Sequence, residues 1–325
     1  MLTDISLSCE VLMTGGTGRS PHRRLPGTPE PGHRWSGRDG VQLAGDAWGD
    51  PHDPTVVLMH GGGQTRHAWK ELGQVLARSG FRVLSYDARG HGDSDRAPDS
   101  DYSIDAMAAD LAHVVETSED PHPVLVGASM GGDAALLATA DAVVSPSALI
   151  LVDIAPRVEL AGVRRIADFM EGPANGFGSL DEVADAISAY QPHRRATRNL
   201  KGLAKNVRVD DGGRYHWHWD PAFRPITDLG HLEQRRARLE GAARRLRVPT
   251  LLVRGGLSDI VSDEGAQEFL RFCPEADYVN VETAGHMVAG DDNDAFAATI
   301  FAFLARRTSG AAVEEGERPE WPAIS

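Results

Sequence analysis

The chain is poor in cysteine: only Cys9 and Cys273 occur in 325 residues. They lie far apart, so neither a disulfide framework nor a cysteine-based metal site is indicated, and a reducing compartment fits. Long apolar runs are missing as well. No stretch of about 18 apolar residues occurs, and the N-terminus has no basic segment followed by an apolar core. Neither a membrane span nor a standard secretion signal is expected, and the expected location is cytoplasmic. Positive charge is in deficit, with 33 Lys and Arg against 47 Asp and Glu and a formal net charge of -14. Nucleic acids and anionic membranes are bound by clustered cations that displace counterions, so neither is an expected partner. Neutral or cationic small molecules are left. Oligomeric state has no signature here.

What is present suffices for a large core. With 41% hydrophobic residues, the length suits one large domain with an insertion or two smaller ones. The two ends differ from the rest. Residues 1–32 are rich in Gly, Pro, Arg and Ser and read as a disordered extension, and residues 308–325, rich in Gly, Glu and Pro, read as a disordered tail. Within the first, Val11-Leu-Met-Thr-Gly-Gly-Thr-Gly18 imitates the start of a dinucleotide-binding turn. The proline-bearing segment behind it cannot supply the helix such a turn requires, so it implies no cofactor.

Between the ends, strand and helix signals alternate. Trp35 to Trp48 suggests a hairpin, and Pro54-Thr-Val-Val-Leu-Met-His60 a buried strand. A helix over 67–79, a strand over 81–86 and a helix capped by Ser103 follow. The turn after the second strand carries Asp87, Arg89 and His91, expected to pair with one another and hold the turn. Strands too apolar to face water on either side indicate a mostly parallel sheet covered by helices on both faces, an α/β fold. The rhythm changes near Pro156. Residues 157–240 give helical signals with little strand character and read as a helical lid inserted between core segments 33–156 and 241–307. Within it, the alternating His216 and His218 lack a third ligand at useful spacing, so packing rather than metal binding is expected.

The chemistry centres on His122-Pro-Val-Leu-Val-Gly-Ala-Ser-Met-Gly-Gly-Asp133. An apolar strand passes through Gly-x-Ser-x-Gly into an alanine-rich helix, which makes Ser129 a candidate nucleophile on a sharp, strained turn. Gly127 and Gly131 let strand and helix approach. The glycine loop Gly61-Gly-Gly-Gln-Thr65 follows a core strand and exposes backbone N–H groups. Gly62 is the preferred oxyanion donor, Met130 N–H the second, and His60 an anchor for the loop. Asp259 follows the strand Val248-Pro-Thr-Leu-Leu-Val-Arg254, and His286 follows the last strand. All three candidates fall at the carboxyl ends of strands, where open α/β sheets bind ligands.

This set resembles the α/β-hydrolase superfamily over about residues 35–306. His60-Gly-Gly-Gly-Gln, Asp87-Ala-Arg-Gly-His-Gly-Asp-Ser, Gly127-Ala-Ser-Met-Gly-Gly, Gly256-Leu-Ser-Asp-Ile-Val and Gly285-His-Met carry the resemblance. The chain is similar to lid-bearing serine esterases and lactonases and to the cofactor-free haloperoxidase or perhydrolase branch. It departs from epoxide hydrolases and haloalkane dehalogenases, which have aspartate in place of Ser129. The resemblance implies a triad of Ser129, Asp259 and His286 with no metal and no cofactor. Asp153, after an earlier strand, is the rival acid. It further implies hydrolysis of a small apolar ester or lactone through an acyl-enzyme, with Gly63, Phe169, Met170, Trp217 and Trp219 shaping the pocket. Acyl transfer, perhydrolysis and C–C hydrolysis use the same triad, and a slow-turnover small-molecule sensor would retain it.

Overall fold

A computed structural model describes residues 18, 20–190, 200–286 and 293–308. The strands are β1 (Arg23–Arg24), β2 (His33–Ser36), β3 (Gln42–Trp48), β4 (Thr55–Met59), β5 (Arg82–Tyr86), β6 (Val124–Ala128), β7 (Ala148–Val152), β8 (Val207–Val209), β9 (Tyr215–Trp217), β10 (Thr250–Gly255) and β11 (Asp277–Val281). Eight of them form one sheet in the order β11-β10-β7-β6-β4-β5-β3-β2. The six from β5 to β11 in that order are parallel, and the hairpin β2–β3 closes one edge antiparallel. The strand order reverses about β4, so β4 and β6 meet at the switch point where an open α/β sheet leaves a crevice.

Side chains of the central strands alternate between two cores, as the two-residue strand period demands. Val57 and Met59 face one core with Leu111, Leu136 and Phe269. Val56 and Leu58 face the other with Trp69, Leu76, Phe296 and Phe303. Each such leucine or phenylalanine, moved fully out of water, contributes roughly 2 kcal/mol. The first core is roofed by α2 (Ile104–Glu116), α3 (Met130–Ala140) and α8 (Asp263–Phe272), the second by α1 (Lys70–Arg78) and the C-terminal helix Asn293–Thr308. The Ser103 and Ser262 hydroxyls cap α2 and α8, accepting the N–H groups of Ala106 and Gly265 at 3.2 and 3.3 Å.

Between β7 and β10 lies an insert with its own small core of Met170, Phe177, Val183, Val207, Trp217 and Trp219. It contains α4 (Leu160–Glu171), α5 (Leu180–Tyr190) and a short α6 (Leu200–Leu203), but it is not wholly helical. β8 and β9 pair antiparallel in its midst, three residues each and so too short to show alternation in sequence. Its far boundary also differs from expectation. α7 (Leu229–Arg245) runs unbroken across residue 240 and buries Leu239, Ala242 and Ala243 in the main core.

The N-terminal segment needs the larger correction. Residues 20–32, expected to be disordered, are tied down, because β1 adds a strand to β8, with Arg23 opposite Val209 and Arg24 opposite Arg208. Little apolar area is involved, which is why composition did not reveal it. Arginine bonds to carbonyls hold the segment instead: Arg24 reaches Thr28 O and Pro29 O at 3.1 and 2.6 Å, and Arg66 reaches Pro29 O at 3.2 Å. Residues 1–17, with most of the glycine motif, and the tail 309–325 lie outside the described residues.

Candidate active site

Ser129 occupies the turn between β6 and α3 with φ 46° and ψ -117°, a strained conformation for a residue with a side chain. The two flanking glycines make the turn possible. A Cβ on Gly127 would stand 2.5 Å from Gly131 O, and one on Gly131 would stand 2.6 Å from Met59 O, so neither position has space for one. Ser129 N–H bonds Val152 O at 3.0 Å, which fixes the turn to β7. Met130 is the first residue of α3, so its N–H has no acceptor within the helix.

Ser129 and His286 line one cavity of about 520 Å³. Gly62, Gly63 and Met130 line it as well, and Phe169, Met170, Trp217 and Trp219 of the insert form its apolar wall. The four insert residues also build the insert's own core, so one cluster serves both purposes. Phe169 lies 5.0 Å from Trp217, which stacks on Trp219 at 5.0 Å, and Trp219 Nε1–H is bonded to Met170 O at 3.2 Å. The wall is otherwise apolar, apart from the buried Trp217 Nε1–H, which has no partner among the described residues, and it favours an apolar occupant.

The carboxylate beside His286 is Asp153. His286 Nδ1 lies 2.6 Å from Asp153 Oδ2, and the Asp153 side chain is completely buried at the end of β7 with φ 48°. Two further donors hold that carboxylate: Gly255 N–H bonds Oδ1 at 2.9 Å, and the Ser258 hydroxyl bonds Oδ2 at 2.5 Å. With Nδ1–H given to Asp153, Nε2 of His286 is the nitrogen left to accept a proton.

Asp259, expected in that place, is turned away and is bound to Arg165 of α4. The physical reason is local. The Asp259 backbone is pressed against α4, where a Cβ on Gly162 would meet Asp259 O at 2.2 Å. Arg165 then lies close enough to take the carboxylate, while Ser258, one residue earlier, is the side chain that faces Asp153.

In the glycine loop, most polar backbone groups are committed. Gly61 N–H bonds Gln64 Oε1 at 2.8 Å, and Gly61 O accepts Gln64 N–H at 3.1 Å. His60, the expected anchor, donates Nδ1–H to Gly61 O at 2.8 Å and accepts Ala88 N–H on Nε2 at 2.9 Å. Gly63 N–H is engaged by His91 Nε2 at 3.2 Å. Gly62 N–H has no partner among the described residues.

Of the three residues expected to pair within the turn after β5, only His91 bonds another, through Nδ1 to Arg89 O at 3.1 Å, while the Asp87 and Arg89 side chains find partners outside it. Asp87 takes Arg66 at 2.6 Å and Arg89 takes Asp110 at 2.7 Å. His216 and His218 point apart: His216 stacks on His22 at 4.5 Å and meets Asp210 at 2.9 Å, while His218 runs inward. Sequence reasoning gave no part in the site to Ser258 or the pair Asp133–Arg235, and expected His218 only to pack. Arg235 of α7 grips both oxygens of buried Asp133 at 2.8 Å and reaches Ala155 O and Pro156 O at 3.4 and 3.3 Å. Burial raises the Asp133 carboxyl's proton affinity and Arg235 opposes this. Only the placement of Asp133 one turn after Ser129 hinted at a role.

Fold and site together define an enzyme with a serine on a strained strand-to-helix turn at the switch point of a parallel sheet. The chain belongs to the α/β-hydrolase fold family, whose model matches residues 54–292. It is 32% identical to the esterase Rv0045c of Mycobacterium tuberculosis over 244 residues, 73% of this chain and 78% of that protein. It is 29% identical to the sn-1-specific diacylglycerol lipase ABHD11 of Mus musculus over 269 residues, 79% of this chain and 83% of the other. A crystal structure of an α/β-hydrolase from Novosphingobium aromaticivorans superimposes with a TM-score of 0.71 at 26% identity, covering 84% of this chain and 97% of that one.

Proposed function

We propose that this enzyme hydrolyses carboxylic esters or lactones through an acyl-enzyme on Ser129. The observation that carries this reading is the 2.6 Å contact of His286 Nδ1 with buried Asp153, beside a cavity that Ser129 and His286 share. The names of the two relatives, an esterase and a lipase, support the ester as the bond attacked.

His286 Nε2 takes the hydroxyl proton as Ser129 Oγ attacks the carbonyl carbon. Asp153 holds the imidazole tautomer and stabilises the imidazolium. The N–H groups of Gly62 and Met130 receive the tetrahedral oxyanion, each such donor being worth about 3 kcal/mol in the transition state. The imidazolium returns its proton to the leaving alcohol, leaving the acyl group on Ser129. Water, deprotonated by His286, then attacks the acyl carbon, and the acid departs as Ser129 Oγ recovers its proton. The insert acts as a lid over the serine, and the Phe169, Met170, Trp217 and Trp219 wall favours a small apolar substrate.

Release of nitrophenol from short-chain nitrophenyl esters tests the reading. Wild type turns them over and forms a covalent adduct with a fluorophosphonate, detected by mass spectrometry on the Ser129 peptide. Ser129→Ala does neither. Undiminished turnover by Ser129→Ala rejects the mechanism.

A further inference from the structure

The three histidines around the glycine loop divide its backbone among them. His60 donates Nδ1–H to Gly61 O. His91 donates Nδ1–H to Arg89 O at 3.1 Å and accepts Gly63 N–H on Nε2. His218 accepts Gly92 N–H on Nδ1 at 2.8 Å and donates Nε2–H to Gly63 O at 3.3 Å. Each ring therefore has one donor and one acceptor nitrogen, so its tautomer is fixed and it is neutral. All three are at most 1 to 2% exposed. The rings stand in sequence, with centroids 5.3 Å apart from His60 to His91 and 6.0 Å from His91 to His218.

Two of these histidines belong to the core, but His218 belongs to the insert. Its neighbours fasten the same part of the insert to the turn after β5. Arg208 of β8 reaches Asp93 at 2.9 Å and also Gly92 O. Asp220 N–H bonds Gly90 O at 2.7 Å, and the Tyr102 hydroxyl bonds the Asp220 carboxylate. Phe223 lies edge-on to His91 at 4.6 Å and covers Gly62, its ring carbons 3.6 Å from where a Gly62 Cβ would be.

We propose that His218 is a positioning residue of the oxyanion loop, through which the insert holds residues 61–63 in the conformation that leaves Gly62 N–H free for the substrate oxyanion. His218 does not line the cavity and does not touch substrate; it acts through Gly63. With Gly63 O held by His218 and Gly63 N–H by His91, the peptide planes on either side of Gly63 cannot rotate. Gly63 has φ 72° and no Cβ to resist such rotation, so the restraint must come from outside the loop. The insert is thus part of the catalytic geometry as well as a cover. This inference rests on the acyl-enzyme reading above.

Two substitutions separate positioning from plain packing. A glutamine amide places its terminal N–H near the site of Nε2, so His218→Gln retains a donor to Gly63 O and loses the acceptor for Gly92 N–H. An asparagine amide reaches only the Nδ1 site, so His218→Asn retains the bond to Gly92 and releases Gly63. With a nitrophenyl ester, His218→Asn is expected to lower kcat about tenfold to a hundredfold, with KM changed less than about twofold. The inhibition constant of an alkylboronic acid, whose serine adduct places an oxygen in the oxyanion hole, should rise in proportion. His218→Gln should retain most of the activity at a similar melting temperature. Equal loss of kcat in both variants, or boronate affinity unchanged in His218→Asn, overturns the proposal. Should His218→Asn not fold, the same comparison is made at His91, where glutamine places an acceptor before Gly63 N–H and asparagine does not. Full activity in Ser129→Ala would instead reject the acyl-enzyme reading itself, so the two failures are distinct.

Discussion

The Ser258 hydroxyl and the His286 imidazole converge on a single oxygen, Asp153 Oδ2, at 2.5 and 2.6 Å. The direction of the hydroxyl is set by the backbone. Ser258 Oγ accepts the N–H groups of Ile260 and Val261 at 3.2 and 3.1 Å, which leaves its hydrogen to point at Asp153. Among the described residues no Lys or Arg pairs with this buried carboxylate; hydrogen bonds supply its solvation.

Asp153→Asn should lower kcat by about four orders of magnitude, since an amide no longer selects the imidazole tautomer that accepts the serine proton. Asp259→Asn should stay within about threefold of wild type, because it breaks only a partly exposed ion pair. Ser258→Ala should lie between, and Ser258→Thr should restore much of the loss. Steady-state kinetics on one ester measures all four. A larger loss in Asp259→Asn than in Asp153→Asn would reverse the assignment.

The pair Asp133–Arg235 predicts an asymmetric stability effect. Arg235→Leu leaves Asp133 buried without its partner and should cost about 3 to 5 kcal/mol. Adding Asp133→Leu removes the stranded carboxylate and should recover a large part of that. Urea unfolding of the single and double variants checks it, and additive losses would contradict it.

Acid should destabilise the chain through its buried histidines. Burial, and after it the charge of Arg66, holds His60 near pKa 4, and burial together with His60 holds His91 near 3. Burial, then Arg208, lowers His218 in the same direction, and burial followed by Arg66 brings His67 to about 4. Asp87 and Asp220 face His91 and oppose its shift without cancelling it. Unfolded histidines protonate near 6.5, so below that pH the unfolded chain binds more protons than the native one. Stability is therefore full above about 6.5 and falls as pH drops toward the folded values, by about 1.4 kcal/mol per pH unit for each ring. The urea midpoint at pH 5 should lie well below that at pH 7. A midpoint constant over this range contradicts the scheme.

The central part of the sheet, β4 to β7 and β10, was legible in sequence because its strands are largely apolar runs of five or six residues. Ser129, His286 and the glycine loop, the parts of the proposed site, could be picked out because each follows a strand. The carboxylate that meets His286 could not. Asp153 and Asp259 both follow apolar strands, and the choice depends on which way a side chain leaves its loop, a matter settled by Gly162 and Arg165 more than 90 residues away in the chain. β1, β8 and the contacts of His218 with the glycine loop had no sequence signal for a related reason. Two- and three-residue strands held by arginine and histidine bonds leave no hydrophobic period to read.

The short strand Arg23–Arg24 gives the insert a heritage it would not otherwise have. Because Arg23 and Arg24 complete the sheet of a segment nearly two hundred residues later, the insert is not an interchangeable cassette. Moving it onto a related scaffold would carry across an open β8 edge, which invites pairing with a foreign strand. Grafts that aim to exchange substrate preference between relatives must bring residues 20–32 along with the insert, since two distant stretches of sequence form one structural unit.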